Sequence, residues 1–226
     1  MASTCAGAYI EGMKILVTGF EPFGGDSVNP SALLVERLAA EPVAGTEIRR
    51  HVLPCAFTPL ESALREAMTD WAPDVVIGFG LATGRSGISI ERVAINLVDA
   101  RIPDNDGNAP IDEPVAFDGP AAYFSTLPVK GALQAVRAAD IPVAVSHTAV
   151  TFVCNATFYL AQHIAETMAR PALVGFVHVP CLPDMPAAQD GAASLPLDRM
   201  IAAGRAVIKA CLDGNTGPRI SGGTIA

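Results

Sequence analysis

The chain has 226 residues, half of them apolar and 17% charged, with 15 lysines and arginines against 23 aspartates and glutamates for a net charge of −8. That composition excludes a disordered chain, and an acidic balance without a basic cluster argues against nucleic acid or an anionic membrane as partner. No apolar run approaches the ~20 residues that a membrane span requires.

The first twelve residues (MASTCAGAYIEG) lack the basic and apolar regions of a secretory leader. They read as a flexible extension, residues 1–12. Residues 14–20 (KILVTGF) form a continuous apolar strand that runs into the turn-rich segment EPFGGDSVNPS. A helix follows over 31–40, with Asn29-Pro30-Ser31 supplying cap and first-turn chemistry. Residues 48–54 suggest a strand and 58–70 a helix capped by Thr58 with Pro59 in its first turn. Residues 74–81 (DVVIGFGL) give the third strand, and 88–100 (ISIERVAINLVDA) are rich in β-branched residues and extended. Residues 101–125, punctuated by proline and glycine, read as one long loop, of the kind that is often functional.

The alternation then continues. A helix is expected over 128–139, a strand over 143–148, a long helix over 153–169 and a last strand over 172–179 (ALVGFVHV). A closing helix over 197–212 is capped from around Ser194-Leu195-Pro196, and 213–226 reads as a flexible tail. Continuous apolar strands joined by helices imply a largely parallel, mixed sheet covered on both faces. The expected fold is therefore α/β, a three-layer α/β/α sandwich formed by a single domain over residues 13–212. In such sheets, sites lie at the carboxyl ends of strands, here the segments after Phe20, Leu81, Thr148 and Val179.

Five cysteines (Cys5, Cys55, Cys154, Cys181, Cys211) are widely spaced, with no CxxC pair and no metal-ligand spacing. Such usage fits a reduced, cytoplasmic protein. Cys154 stands out because it opens a helix after a strand, where free backbone N–H groups and the helix dipole favour a thiolate; the ordinary alternative is a packed residue at a strand–helix junction. His178 lies near the end of the last strand. Two adjacent parallel strands would bring it to the same edge as Cys154, and a Cys–His pair is the minimal device for thiol activation. Glu91 shares a strand face with Ser89 and Val93, either as a solvated carboxylate paired with Arg92 or as the acid that orients His178. Arg85, in a glycine-containing turn that matches no phosphate-binding pattern, is a turn charge or an oxyanion candidate. Phe20 and Phe23, around Glu21-Pro22, are core lids or one wall of an apolar pocket.

Taken together, TGFEPFGGDSVNPS, GRSGISIERVAINLVDARIPDN, SHTAVTFVCN and GFVHVP resemble, in this order, the pyroglutamyl peptidase type I (pyrrolidone-carboxylate peptidase) family. The likeness runs from about Met13 to Leu212. It implies a cysteine exopeptidase that removes an N-terminal pyroglutamyl residue, with Cys154 as nucleophile, His178 as base and Glu91 as orienting acid. It further implies a ring pocket lined by Phe20, Phe23, Phe152 and Val153, no metal or cofactor, and a cytoplasmic homo-oligomer, often a tetramer. Peptides with a pyroglutamyl N-terminus are the implied partners, with no nucleic acid and no membrane.

The chain departs from the bacterial family pattern at two places. Gly80-Leu81-Ala82-Thr83-Gly84-Arg85 stands where G-Q-A-G-G-R is usual, so Leu81 replaces a polar residue. Ser146-His147-Thr148-Ala149-Val150 stands for S-N-T-A-G, so Val150 replaces a glycine and His147 adds an imidazole near the cysteine. Either the backbone at Val150 is ordinary or the loop before Cys154 has a different shape. Two other functions remain open on these residues: an amidase or acyl-transfer enzyme for another blocked substrate, and a binding protein without activity.

Overall fold

A computed structural model describes residues 12–214, 216–218 and 220–222. Most of the expected N-terminal extension and part of the tail lie outside these residues. The elements in order are β1 (Met13–Phe20), α1 (Pro30–Ala40), β2 (Thr46–Leu53), α2 (Leu60–Thr69), β3 (Val75–Leu81), β4 (Ile88–Glu91) and β5 (Val93–Ile95). They continue with β6 (Ala122–Phe124), α3 (Val129–Ala138), β7 (Val143–Ser146), α4 (Val153–Thr167), β8 (Leu173–Val179), α5 (Pro186–Gln189) and α6 (Leu197–Leu212).

Six strands form one mixed sheet in the order β2-β1-β3-β8-β4-β7. Alternation along the strands separates two cores. Ile15, Val17 and Ile77 face α1, α3 and α6 through Leu34, Leu38, Leu133 and Val207, whereas Leu16, Phe20, Val76, Val174 and Phe176 face α2 and α4 through Leu60, Leu64, Met68, Phe158 and Ile164. Strands buried on both faces are continuous apolar runs for this reason. Each such large side chain contributes ~1.5–3 kcal/mol on burial. The start of α1 is fixed as the sequence suggests: Asn29 accepts from the Ser31 N–H, and the Ser31 hydroxyl accepts from the Phe20 N–H at 3.0 Å. That bond locks the end of β1 to the first turn of α1 and orients Phe20.

Several expectations change. The extended run after Gly87 splits at Arg92: β4 joins the main sheet, while β5 pairs with β6 in a separate two-stranded sheet. Residues 101–125 are thus not all loop. Thr58 does not cap α2, which starts at Leu60 behind Pro59, and no side chain caps α6. The short α5 has no counterpart among the expected elements.

The largest correction concerns strand direction. β4 lies between β8 and β7, antiparallel to β8 and parallel to β7. The strands before Cys154 and around His178 are therefore neither adjacent nor co-directional. β7 ends at Ser146, level with Glu91, and residues 147–152 carry the chain over to β3, where α4 begins.

Candidate active site

Cys154 is the second residue of α4, whose first turn has no side-chain cap. The opening N–H groups of a helix lack intrahelical partners, so this end offers donors beside the thiol. Sγ sits over Gly80: a β-carbon built on that glycine would lie 2.8 Å from it. Gly80 is the register partner of His178 on the neighbouring strand, which brings thiol and imidazole to one spot on the sheet. The next residue, Asn155, is fully buried. Its amide donates to the Ile95 and Leu97 carbonyls and its oxygen accepts from the Ile95 N–H, all within 3.1 Å. This clamp fixes the start of α4 against the segment that follows Glu91.

His178 Nδ1 lies 2.7 Å from Glu91 Oε1, both residues being almost inaccessible to solvent. With Glu91 ionised, Nδ1 carries the proton and Nε2 is the basic nitrogen. Arg85 completes the group: NH1 donates to the same Oε1 at 2.7 Å and NH2 to the Thr148 carbonyl at 3.0 Å. The partner of Glu91 is thus Arg85 and not Arg92. The Arg85 fork is turned to Glu91 and to the loop before Cys154.

Burial governs both reactive groups. It pushes the Cys154 thiol well up, helped by nearby Cys55 and Glu91, with Arg85 and the Cys154 N–H acting the other way. Burial also lowers the His178 pKa; Glu91 opposes that shift and Arg85 adds to it. Burial thus opposes the thiolate that the helix N-terminus favours, and it opposes a charged imidazole in the same way.

Cys154 stands where two cavities meet. The smaller, about 280 Å³, is walled by Phe20, Phe23, Phe152 and Val153, with Cys55 and the half-buried Asp26 also on its lining. Phe152 is wedged between Phe23 and Phe57, ring centroids 5.4 and 5.2 Å away. The larger, about 860 Å³, contains His178 and Arg85 and is bounded by Asp99, Ile102, Ile111 and Val150. Leu81 and Thr83 line both. His147 is exposed and lines neither. Val150 has φ 64 and is 56% exposed, so this chain keeps a left-handed turn with a β-branched residue. The turn is stitched by Thr148 Oγ1, which accepts from the Val150 N–H at 3.0 Å, and by Thr151 and Asp99, whose backbone groups bond at 3.0 Å.

The family model described as pyroglutamyl peptidase matches residues 13–213. The chain belongs to the pyroglutamyl peptidase family. A pyrrolidone-carboxylate peptidase of Streptomyces coelicolor is 52% identical over 171 residues, 76% of this chain and 79% of that protein. That of Yersinia pestis (strain Pestoides F) is 42% identical and covers 94% of this chain and 99% of its own. Among solved structures, a mutant pyrrolidone carboxyl peptidase from Pyrococcus furiosus superposes with a TM-score of 0.85 at 38% identity, covering 89% of this chain and 99% of that one. Pyroglutamyl peptidase I of Bacillus amyloliquefaciens gives 0.85 at 40% identity, with 91% and 98% covered.

Within this pyroglutamyl peptidase fold, sequence reasoning missed the residues that shape the site without reacting. Asn155 is one, and a polar residue beside a helix-initial nucleophile is the signal it offered. Asp104 is another: it accepts from the Phe57, Asp106 and Asn108 N–H groups and ties the 104–108 loop to the wall that carries Cys55. Among the described residues, no group of three or more His, Cys, Asp or Glu is placed to hold a metal, and no helix is long and apolar enough to cross a membrane.

Proposed function

We propose that this protein hydrolyses the bond after an N-terminal pyroglutamyl residue, with Cys154 as nucleophile, His178 as base and acid, and Glu91 orienting His178. The observation that carries this reading is the position of Cys154 on the wall shared by a small, largely apolar cavity and a larger open one. The small cavity suits the uncharged lactam ring; the large one suits the departing peptide. A free N-terminal ammonium would lose hydration in the small cavity.

Substrate binding brings the scissile carbonyl against Sγ. The thiol proton passes to His178 Nε2 as sulfur bonds to carbon, so neither group is charged alone in the buried site. The oxyanion that forms is held by N–H groups at the start of α4. Collapse expels the amine, which takes the proton from His178, and leaves a pyroglutamyl thioester on Cys154. Water then gives a proton to His178 and attacks, releasing free pyroglutamate and restoring the thiol.

A panel of pyroglutamyl, prolyl and free glutamyl anilides tests the proposal. Turnover confined to the pyroglutamyl member is expected. Comparable turnover of the prolyl or glutamyl anilide would favour an amidase of different scope. The same reading treats residues 13–212 as one peptidase domain with flexible ends, located in the cytoplasm. The free thiols at Cys55, Cys154, Cys181 and Cys211 suit a reducing compartment. The proposed homotetramer rests on resemblance, and sedimentation would test it.

A further inference from the structure

Glu91 is 0% exposed, and its Oε1 accepts from both His178 Nδ1 and Arg85 NH1 at 2.7 Å. Oε2 has no partner among the described residues. A buried carboxylate requires a cation close by. Two groups are within reach, and they differ in kind. The imidazole either carries the charge or remains a base, whereas a guanidinium never gives up its proton.

We propose that Arg85 is a positioning residue: it is the counter-ion of Glu91, which leaves His178 neutral and able to accept the thiol proton, and it ties that carboxylate to the loop leading into Cys154. The second tie is NH2 to the Thr148 carbonyl, six residues before the nucleophile. Were His178 the sole partner, the Glu91 charge would draw a proton onto the ring, and a protonated ring cannot take another from sulfur. The inference rests on the proposed roles of Cys154, His178 and Glu91.

The charged and titratable groups facing His178 are Glu91 from β4, Cys154 from α4 and Arg85 from the segment after β3, while Asp99 and Arg101 line the same cavity. Arg85 lowers the His178 pKa and Glu91 raises it. Removing the guanidinium therefore moves His178 upward, and the base form is lost at a higher pH as the solution is acidified.

The pH dependence of kcat/KM on a pyroglutamyl anilide is measured for wild type, Arg85→Gln and Arg85→Lys. The acid limb is expected to move up by about one pH unit in Arg85→Gln, making that variant roughly tenfold slower on the limb relative to its own plateau. Arg85→Lys, which restores the charge, is expected to stay within about half a unit of wild type. Equal scaling of all rates with no shift of the limb would overturn the proposal, since a purely structural role predicts that result. NMR titration of the wild-type His178 ring needs no variant to fold. A ring neutral at pH 7 that titrates below its ordinary value of ~6.5 supports the proposal, and a protonated ring at pH 7 overturns it. Absence of wild-type turnover on every pyroglutamyl substrate would sink the proposed function while leaving the NMR result to decide the charge arrangement.

Discussion

The two cavities that meet at Cys154 share Leu81, Thr83 and Phe152 but differ in the rest of their walls. The ring cavity takes part of its wall from regular elements, where Phe20 closes β1, Asn29 caps α1 and Val153 opens α4, and the rest from connecting residues such as Phe23, Asp26 and Phe152. The cavity on the leaving side, beyond His178 and Cys154, is bounded mainly by connecting segments, including Ile102, Ile111 at 66% exposure and Val150. Walls set by packed helices and strands hold their shape, whereas loop walls adapt. This difference implies strict selection of the acyl group and tolerance toward the amine.

The largest expected effect lies at the point common to both. An alanine at Gly80 would place its β-carbon 2.8 Å from Cys154 Sγ and 2.9 Å from the Phe176 ring. Gly80→Ala should lower kcat/KM by about 100-fold or more, because displacing a nucleophile by ~1 Å costs that much. The loss should be equal for every leaving group. A fully active Gly80→Ala enzyme would show that the thiol does not work from above this strand.

Phe23→Ala should act on the ring side. Removing a large apolar wall contact of ~1.5–3 kcal/mol predicts a ~10–100-fold loss of kcat/KM. Again the factor should be independent of the residue after pyroglutamate. A loss that varied with that residue would exchange the assignments of the two cavities.

The smallest effect should come from Val150→Gly on the leaving side. The ratio of kcat/KM for pyroglutamyl-leucine over pyroglutamyl-alanine should fall by only a few-fold, in line with ~1 kcal/mol of apolar contact. Stability should change by no more than about 1 kcal/mol, since relief of the left-handed valine is offset by the backbone entropy of glycine. An unchanged ratio would remove the leaving residue from this cavity.

What the sequence disclosed follows the same division. Cys154, His178 and Phe20 lie at or beside the ends of elements whose patterns are local, so their places could be read along the chain, although the adjacent parallel strands expected to join Cys154 to His178 are not there. The direction of β4 could not, because it depends on pairing between β4 and β8, which no local pattern encodes. That reversal brings Glu91 back toward Arg85, a pairing that the order along the chain does not suggest. The opposition of burial to a thiolate at Cys154 was hidden for a related reason. The helix N-terminus is visible in sequence, but the depth at which the thiol is buried is not. β6 and α5, of three and four residues, are too short to carry a periodic signal.

The account depends most on which sulfur becomes acylated, since Cys55, its thiol pushed up to about 12 mainly by burial, shares the ring cavity with Cys154. The most direct measurement is acid quenching during turnover of a pyroglutamyl anilide, followed by peptide mapping in a mass spectrometer. The account predicts a pyroglutamyl thioester on the peptide that carries Cys154, absent in Cys154→Ala. A thioester on Cys55, or continued hydrolysis by Cys154→Ala, would contradict it.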